Sequence, residues 1–162
     1  MATHTFIRNL KDFVGQTVTL RGWVYHSRPG GKIIFLVLRD GTGLCQCVIE
    51  KGDASAAYYE DVKRLSQESS LEITGTVKAD ERSVGGHELH VTDAKVMHAS
   101  RDYPITPKPH GIEYLMKHRH LWFRSKRPWA TLRIRATVVD QIRRFFNDNG
   151  YTLIDTPIFA PA

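Results

Sequence analysis

TVTLRGWVYHSRPGGKIIFLVLRDGTGLCQCVIE, residues 17–50, decides the fold, because three alternating runs and two turns follow one another in it without interruption. In 17–25, Val18, Leu20, Gly22 and Val24 fall on one face and Thr17, Thr19, Arg21, Trp23 and Tyr25 on the other. A period of two is that of a half-buried strand. Ser27-Arg28-Pro29-Gly30-Gly31 gathers residues that favour turns, and 32–40 alternates again, with Ile34, Leu36 and Leu38 opposite Ile33, Phe35, Val37 and Arg39. Asp40-Gly41-Thr42-Gly43 turns the chain a second time, into 44–50. The stretch predicts a three-stranded meander.

Working outward, 54–67 changes to a helical pattern, with Ala57, Val62 and Leu65 facing inward and Asp53 as the N-cap. Two further strands, 71–79 and 87–97, are joined by a turn at Ser83-Val84-Gly85-Gly86. Strand, strand, strand, helix, strand, strand is the order of the five-stranded Greek-key barrel called the OB-fold, which carries one helix between its third and fourth strands. An open sheet packed on a helix has the same order and is the alternative. The barrel domain is expected over 1–97. Residues 98–112 hold Pro104, Pro107, Pro109 and Gly111 and read as an extended linker.

Residues 113–162 read as the first helix-strand element of a second, α+β domain. A short helix is expected at 113–118, followed by a basic segment with Arg119, Arg124, Lys126 and Arg127. A long helix at 130–149 ends at Gly150, and a strand at 151–156 runs up to Pro157. In the helix Ile134, Val138, Ile142 and Phe146 recur every four residues, and Val139 and Phe145 widen them into a broad apolar stripe. A helix this apolar needs a partner surface, either the rest of a larger domain or a second subunit. Most of what this segment belongs to is therefore expected to lie outside these 162 residues.

Of the 162 residues 25% are charged and 41% hydrophobic, with no apolar run of membrane-spanning length and no secretory leader pattern, so the cytoplasm is the expected location. The net charge of +6 is unevenly spread: twelve Lys and Arg face twelve Asp and Glu in 1–97, against eleven and five in 98–162. Even so, 17–39 carries Arg21, Arg28, Lys32 and Arg39 with no acid, a local positive surface suited to nucleic acid. Cys45 and Cys47 lie two apart on one strand face and read as reduced core thiols. Eight histidines give no expected metal site: His87 with His90, and His118 with His120, have no neighbouring cysteine and poor one-face spacing on their elements. Gly30-Gly31 and Gly85-Gly86 precede strands, so they are hairpin turns rather than phosphate loops. Ser66, Ser69 and Ser70 have no histidine in a nucleophile-activating context.

The candidate site is the outer face of the meander. Phe35 lies opposite Ile34, Leu36 and Leu38, and Gln46 lies opposite Cys45 and Cys47, so a ring and an amide share a surface with Arg21, His26 and Arg28. An exposed ring is a platform for an unpaired base, an amide can read a base edge, and arginines hold phosphates. Alternation alone equally allows Phe35 to be a core side chain beneath the helix, and Trp23 and Tyr25 to form a second packing layer.

Arg21-Gly22-Trp23-Val24, Phe35-Leu36-Val37-Leu38-Arg39-Asp40 and Gln46 resemble the OB-fold anticodon-binding domain of the class II aminoacyl-tRNA synthetases for aspartate, asparagine and lysine. Residues 145–157, with Gly150, Tyr151 and Pro157, resemble the first class-defining motif of that family. Within the group, Asp102-Tyr103-Pro104-Ile105-Thr106-Pro107-Lys108, His118-Arg119-His120-Leu121-Trp122, Thr74-Gly75-Thr76-Val77 and His87-Glu88-Leu89-His90-Val91-Thr92 are most similar to the asparaginyl enzymes. The aspartyl enzymes come second, and a stand-alone OB-fold single-strand binder is the reading from another class.

The resemblance implies that Phe35 stacks on the middle uridine of a tRNA anticodon, that Gln46 hydrogen-bonds that uridine, and that Glu88 lies near the first anticodon base. It also implies that Arg21, His26 and Arg28 approach the RNA. Pro157, with Ile142 and Phe146 on the helix before it, would lie at a homodimer interface. The complete enzyme of that kind uses ATP and magnesium to attach asparagine to tRNA. Its ATP-, magnesium- and amino-acid-binding residues belong to later motifs, so these 162 residues alone are expected to bind neither group and to be inactive.

Overall fold

The computed structural model describes residues 2–52 and 57–159. Strand β1 (Thr3–His4) and a 3-10 helix (Ile7–Phe13) precede β2 (Thr17–Gly30), β3 (Ile33–Arg39) and β4 (Leu44–Glu50). A short helix α1 (Tyr59–Lys63) leads into β5 (Ser70–Ala79) and β6 (His87–His98). β2, β3 and β4 form the predicted antiparallel meander, β4 pairs in parallel with β6, and β6 pairs antiparallel with β5. β5 then returns to β2, from Thr17 opposite Thr76 to Trp23 opposite Ser70. That last ladder closes the ring and rules out the open sheet. The fold is the OB barrel, with β1 added in parallel outside β2.

Closure depends on close backbone approach. A Cβ on Gly22 would lie 2.4 Å from the Arg39 carbonyl oxygen, and one on Gly75 would lie 2.3 Å from that of His90. Inside the ring Val18, Leu20, Val24, Ile34, Leu36, Leu38, Cys45, Cys47, Ile49, Leu71, Ile73 and Leu89 are all shut away from water. The expected inward faces of the first three strands are therefore the observed ones. The neighbouring Cys45 thiol, and after it burial, hold Cys47 well above the ordinary thiol range, and both cysteines are free and buried.

Three boundaries differ from expectation. β2 continues to Gly30, through residues that read as a turn, because only Gly31 and Lys32 are needed to connect it to Ile33, Gly31 taking φ +57°. Tyr25 is an extra residue: Val24 pairs with Leu38 and His26 with Val37, so the ladder bulges between them. The helix is shorter than 54–67. Its expected start, with Asp53 and residues 54–56, lies outside the described residues, and Ala57 is exposed while Tyr58 and Tyr59 are buried. Two large rings cover the end of the barrel better than one methyl, which shifts the buried face by a residue. Val62 is buried and Leu65 packs against the core as expected.

The N-terminal elements carry no strong pattern in the sequence. Ile7 and Leu10 are nevertheless buried, and Asp40 Oδ2 accepts from the Ile7 N–H at 2.7 Å. The same carboxylate ties its own turn, Oδ1 accepting from Thr42 N at 2.8 Å, Thr42 Oγ1 at 2.7 Å and Gly43 N at 3.1 Å.

The chain divides into two compact units, Met1–Thr106 and Pro107–Ala162. The first half of the proline-bearing connector stays on the barrel, where Ser100 N donates to Ser69 Oγ at 3.1 Å and Ile105 is buried. The second unit comprises α2 (Ile112–Lys117), α3 (Arg119–Trp122) and α4 (Lys126–Asp148). α4 starts four residues before the expected 130, since Pro128 sits in the first turn, where its missing N–H costs nothing. Gly150, at φ +82°, ends it, and Tyr151 N donates to Phe146 O at 3.1 Å. The expected strand at 151–156 is not formed: these residues are exposed and, among the described residues, no strand pairs with them. A strand needs a ladder partner, which propensity alone does not supply.

Candidate nucleic-acid interface

The registers set the predicted residues into two neighbouring rows on the outside of β2, β3, β4 and β6. One row runs Arg28, Phe35, Val48, His90, and the next runs His26, Val37, Gln46, Glu88, Lys78. Strict alternation from Val18 and Leu20 would turn His26 and Arg28 into the barrel. The extra residue at Tyr25 reverses the parity and puts both outside, where they are exposed. Phe35 is half-buried on this outer face and takes no part in the core, so the core reading of it is wrong. The Arg28 guanidinium lies 5.9 Å from its ring centroid, within cation-π range.

Gln46 and Glu88 face each other across the parallel β4–β6 ladder. Gln46 Nε2 donates to Glu88 Oε2 at 3.3 Å and to Ser83 Oγ at 3.4 Å. Ser83 comes from the β5–β6 turn, and Asp80 orders that turn, accepting from Arg82 N at 2.9 Å and from Ser83 Oγ at 3.3 Å. These bonds, that to the Arg82 N–H first, hold the Asp80 carboxyl below its ordinary range. On the other side His90 Nε2 donates to Glu88 Oε1 at 2.6 Å. Sequence reading missed Ser83, Asp80 and His90. For His90 a signal was available, since Glu88 and His90 are two apart on one strand and must share a face.

Arg21 does not join this cluster. It precedes Arg28 by seven residues on β2, a span of roughly 20 Å at strand rise, and its Nε donates to Glu72 Oε2 at 2.6 Å across the closing ladder. Around it the quoted motif residues hold the barrel together. Arg39 makes a two-pronged ion pair with Glu68 at 2.7 and 2.8 Å, with the Glu68 side chain only 3% exposed. Trp23 is 42% exposed, its ring 5.9 Å from the Arg39 guanidinium, so it is a lid on that pair rather than a packing layer.

In the second unit none of the three helices buries a residue. Ile142 is 52% and Phe146 47% exposed, and Pro157 is exposed too. An open groove of about 810 Å³ lies beside Ile112, Leu115, Trp122 and Phe123, with Arg119 and Arg127 at its edge.

With this geometry in place, the family comparisons agree on both units. The model described as OB-fold nucleic acid binding domain matches residues 18–97, and that described as tRNA synthetases class II (D, K and N) matches residues 111–162. An asparagine--tRNA ligase of Chloroflexus aurantiacus is 49% identical over 95% of this chain. The chain belongs to the class II aminoacyl-tRNA synthetases. This synthetase chain spans about a third of the length of the curated relatives it matches, 35% in the Chloroflexus case. The crystal structure of asparaginyl-tRNA synthetase from Pyrococcus horikoshii complexed with asparaginyl-adenylate superposes with a TM-score of 0.88, at 34% identity over 98% of this synthetase chain and 37% of that one. Aspartyl tRNA synthetase from Entamoeba histolytica, at 24% identity over 96% of this chain and 39% of its own, shares the fold with a TM-score of 0.82. Among the described residues no group of three or more His, Cys, Asp or Glu side chains converges as a metal site.

Proposed function

We propose that this chain is the anticodon-reading part of an asparaginyl-tRNA synthetase, an enzyme that uses ATP and magnesium to attach asparagine to tRNA in the cytoplasm. The observation that carries the proposal is the paired arrangement on the outer face: the Phe35 ring beside the Arg28 guanidinium, one row from an amide held between Glu88 and Ser83. A base unstacked from the anticodon loop lies on Phe35, Gln46 meets its edge, and Arg28 and His26 meet the phosphates. Glu88 stands beside the neighbouring base. Arg21, held by Glu72, belongs to the seam that closes the barrel. Asparagine is preferred to aspartate because the curated relative at 49% identity is an asparagine--tRNA ligase, and the asparaginyl structure is 34% identical against 24% for the aspartyl one. The exposed α4 stripe, with Ile142 and Phe146, and Pro157 beyond it, is the surface offered to a second copy in the dimer.

Binding of an anticodon stem-loop with uridine at the middle position, followed by fluorescence anisotropy, tests the reading. Phe35→Ala and Gln46→Ala are each expected to weaken binding by about 1–3 kcal/mol. Wild-type affinity in both variants would overturn it.

A further inference from the structure

We infer that Glu88 and Ser83 are positioning residues that fix which end of the Gln46 amide faces the RNA, and so make this site a reader of uridine against cytidine. The inference rests on the anticodon reading above and deepens it. A glutamine amide is nearly symmetric in shape and opposite in chemistry at its two ends: one is an acceptor, the other a double donor. Left alone, such a side chain can turn over and serve either kind of base edge. Here it is not left alone. The carboxylate of Glu88 only accepts, so the amide must present its NH₂ to it, and Nε2 lies 3.3 Å from Glu88 Oε2. With its carbonyl reversed toward that carboxylate, two acceptors would meet. Ser83 Oγ lies 3.4 Å from the same nitrogen and donates its own proton toward carboxylates, to Glu88 Oε2 at 3.4 Å and Asp80 Oδ2 at 3.3 Å, so it too receives the NH₂ rather than the carbonyl.

The carboxylate is held in turn. His90 Nε2 donates to Glu88 Oε1 at 2.6 Å, leaving Oε2 for Gln46. Among the described residues no donor is bonded to Gln46 Oε1, so with Nε2 engaged by Glu88 and Ser83 the acceptor is the open end of the amide. The surface therefore shows a base on Phe35 one fixed acceptor. Uridine carries a hydrogen at N3 and donates to such an oxygen. Cytidine has a bare N3 lone pair there and meets it acceptor to acceptor. Phe35 stacks on either base with little preference, since both have a π-face. Discrimination comes from the amide, and the amide's sense comes from β6 and the β5–β6 turn.

The experiment is a comparison of two anticodon stem-loops that differ only in uridine or cytidine at the middle position, measured on the whole chain by fluorescence anisotropy. Wild type is expected to prefer the uridine loop by about tenfold, within the range of one well-placed pair of contacts. Glu88→Gln replaces a pure acceptor with a side chain that can also donate, which lets the Gln46 amide turn over. The uridine-to-cytidine ratio then falls toward one, largely through a gain in affinity for the cytidine loop. Loss of a fold would not produce such a gain. Ser83→Ala lowers the ratio by a smaller factor of about two to three, one of two constraints being lost. If Glu88→Gln keeps the wild-type ratio, or weakens both loops by the same factor, while Gln46→Ala removes the preference, the positioning role is overturned and the anticodon reading stands. If Phe35→Ala and Gln46→Ala leave both loops bound as in wild type, the anticodon reading falls and this inference falls with it.

Discussion

β2 and β3 have two ends built on different principles. At one, Gly22 brings the strand against the Arg39 carbonyl, Arg39 and Glu68 form a nearly dry ion pair, and Asp40 ties its turn to the Ile7 N–H. At the other, from His26 to Gly30, β2 pairs only with β3, and His26 and Arg28 stand exposed on the face that carries Phe35. Residues from both ends carry the family resemblance, yet one set holds the barrel and the other is free to meet a ligand. Resemblance to a family therefore does not separate binding residues from structural ones. Contacts do.

The contrast breaks most readily at the locked end. Glu68→Ala leaves the Arg39 guanidinium poorly solvated and unpaired, and is expected to cost about 3–5 kcal/mol in urea unfolding. A loss under 1 kcal/mol would mean that the ion pair is ornamental. Gly22→Ala drives a methyl into the Arg39 carbonyl and should cost about 3 kcal/mol, again read by unfolding midpoint. Phe35→Ala sharpens the comparison from the open end: its weakened RNA binding should come with no more than about 1 kcal/mol of lost stability, since the ring lies outside the core. The smallest effect concerns pH. The Asp80 carboxyl is held below its ordinary range by the bonds to Arg82 and Ser83, so its contribution is present above the ordinary value and lost as pH falls through the depressed one. The Tm difference between wild type and Asp80→Asn should shrink on acidification below about pH 4.

Much of this was legible in the sequence. Alternation is forced wherever one strand face is buried and the other wet, so the inward sets around Leu20, Leu36 and Cys47 followed from pattern, as did the outward placing of Gln46. Phe35 needed the structure, since pattern cannot tell an outer face from a second packed layer. Ser83 and Asp80 were not legible because they reach the site from a turn, across a ladder that pairs distant parts of the chain. The 151–156 strand failed for a related reason: its apolar residues are strand-like, but pairing is a property of a neighbour. The α4 stripe was read correctly as apolar and finds no cover within the three helices of its own unit.

Tyr25 has a consequence for how such a barrel can change over time. Because Val24 pairs with Leu38 and His26 with Val37, loss of that single codon would straighten the bulge and leave both His26 and Arg28 facing outward. The strand can therefore gain or lose one residue at this point without turning over the surface beyond it.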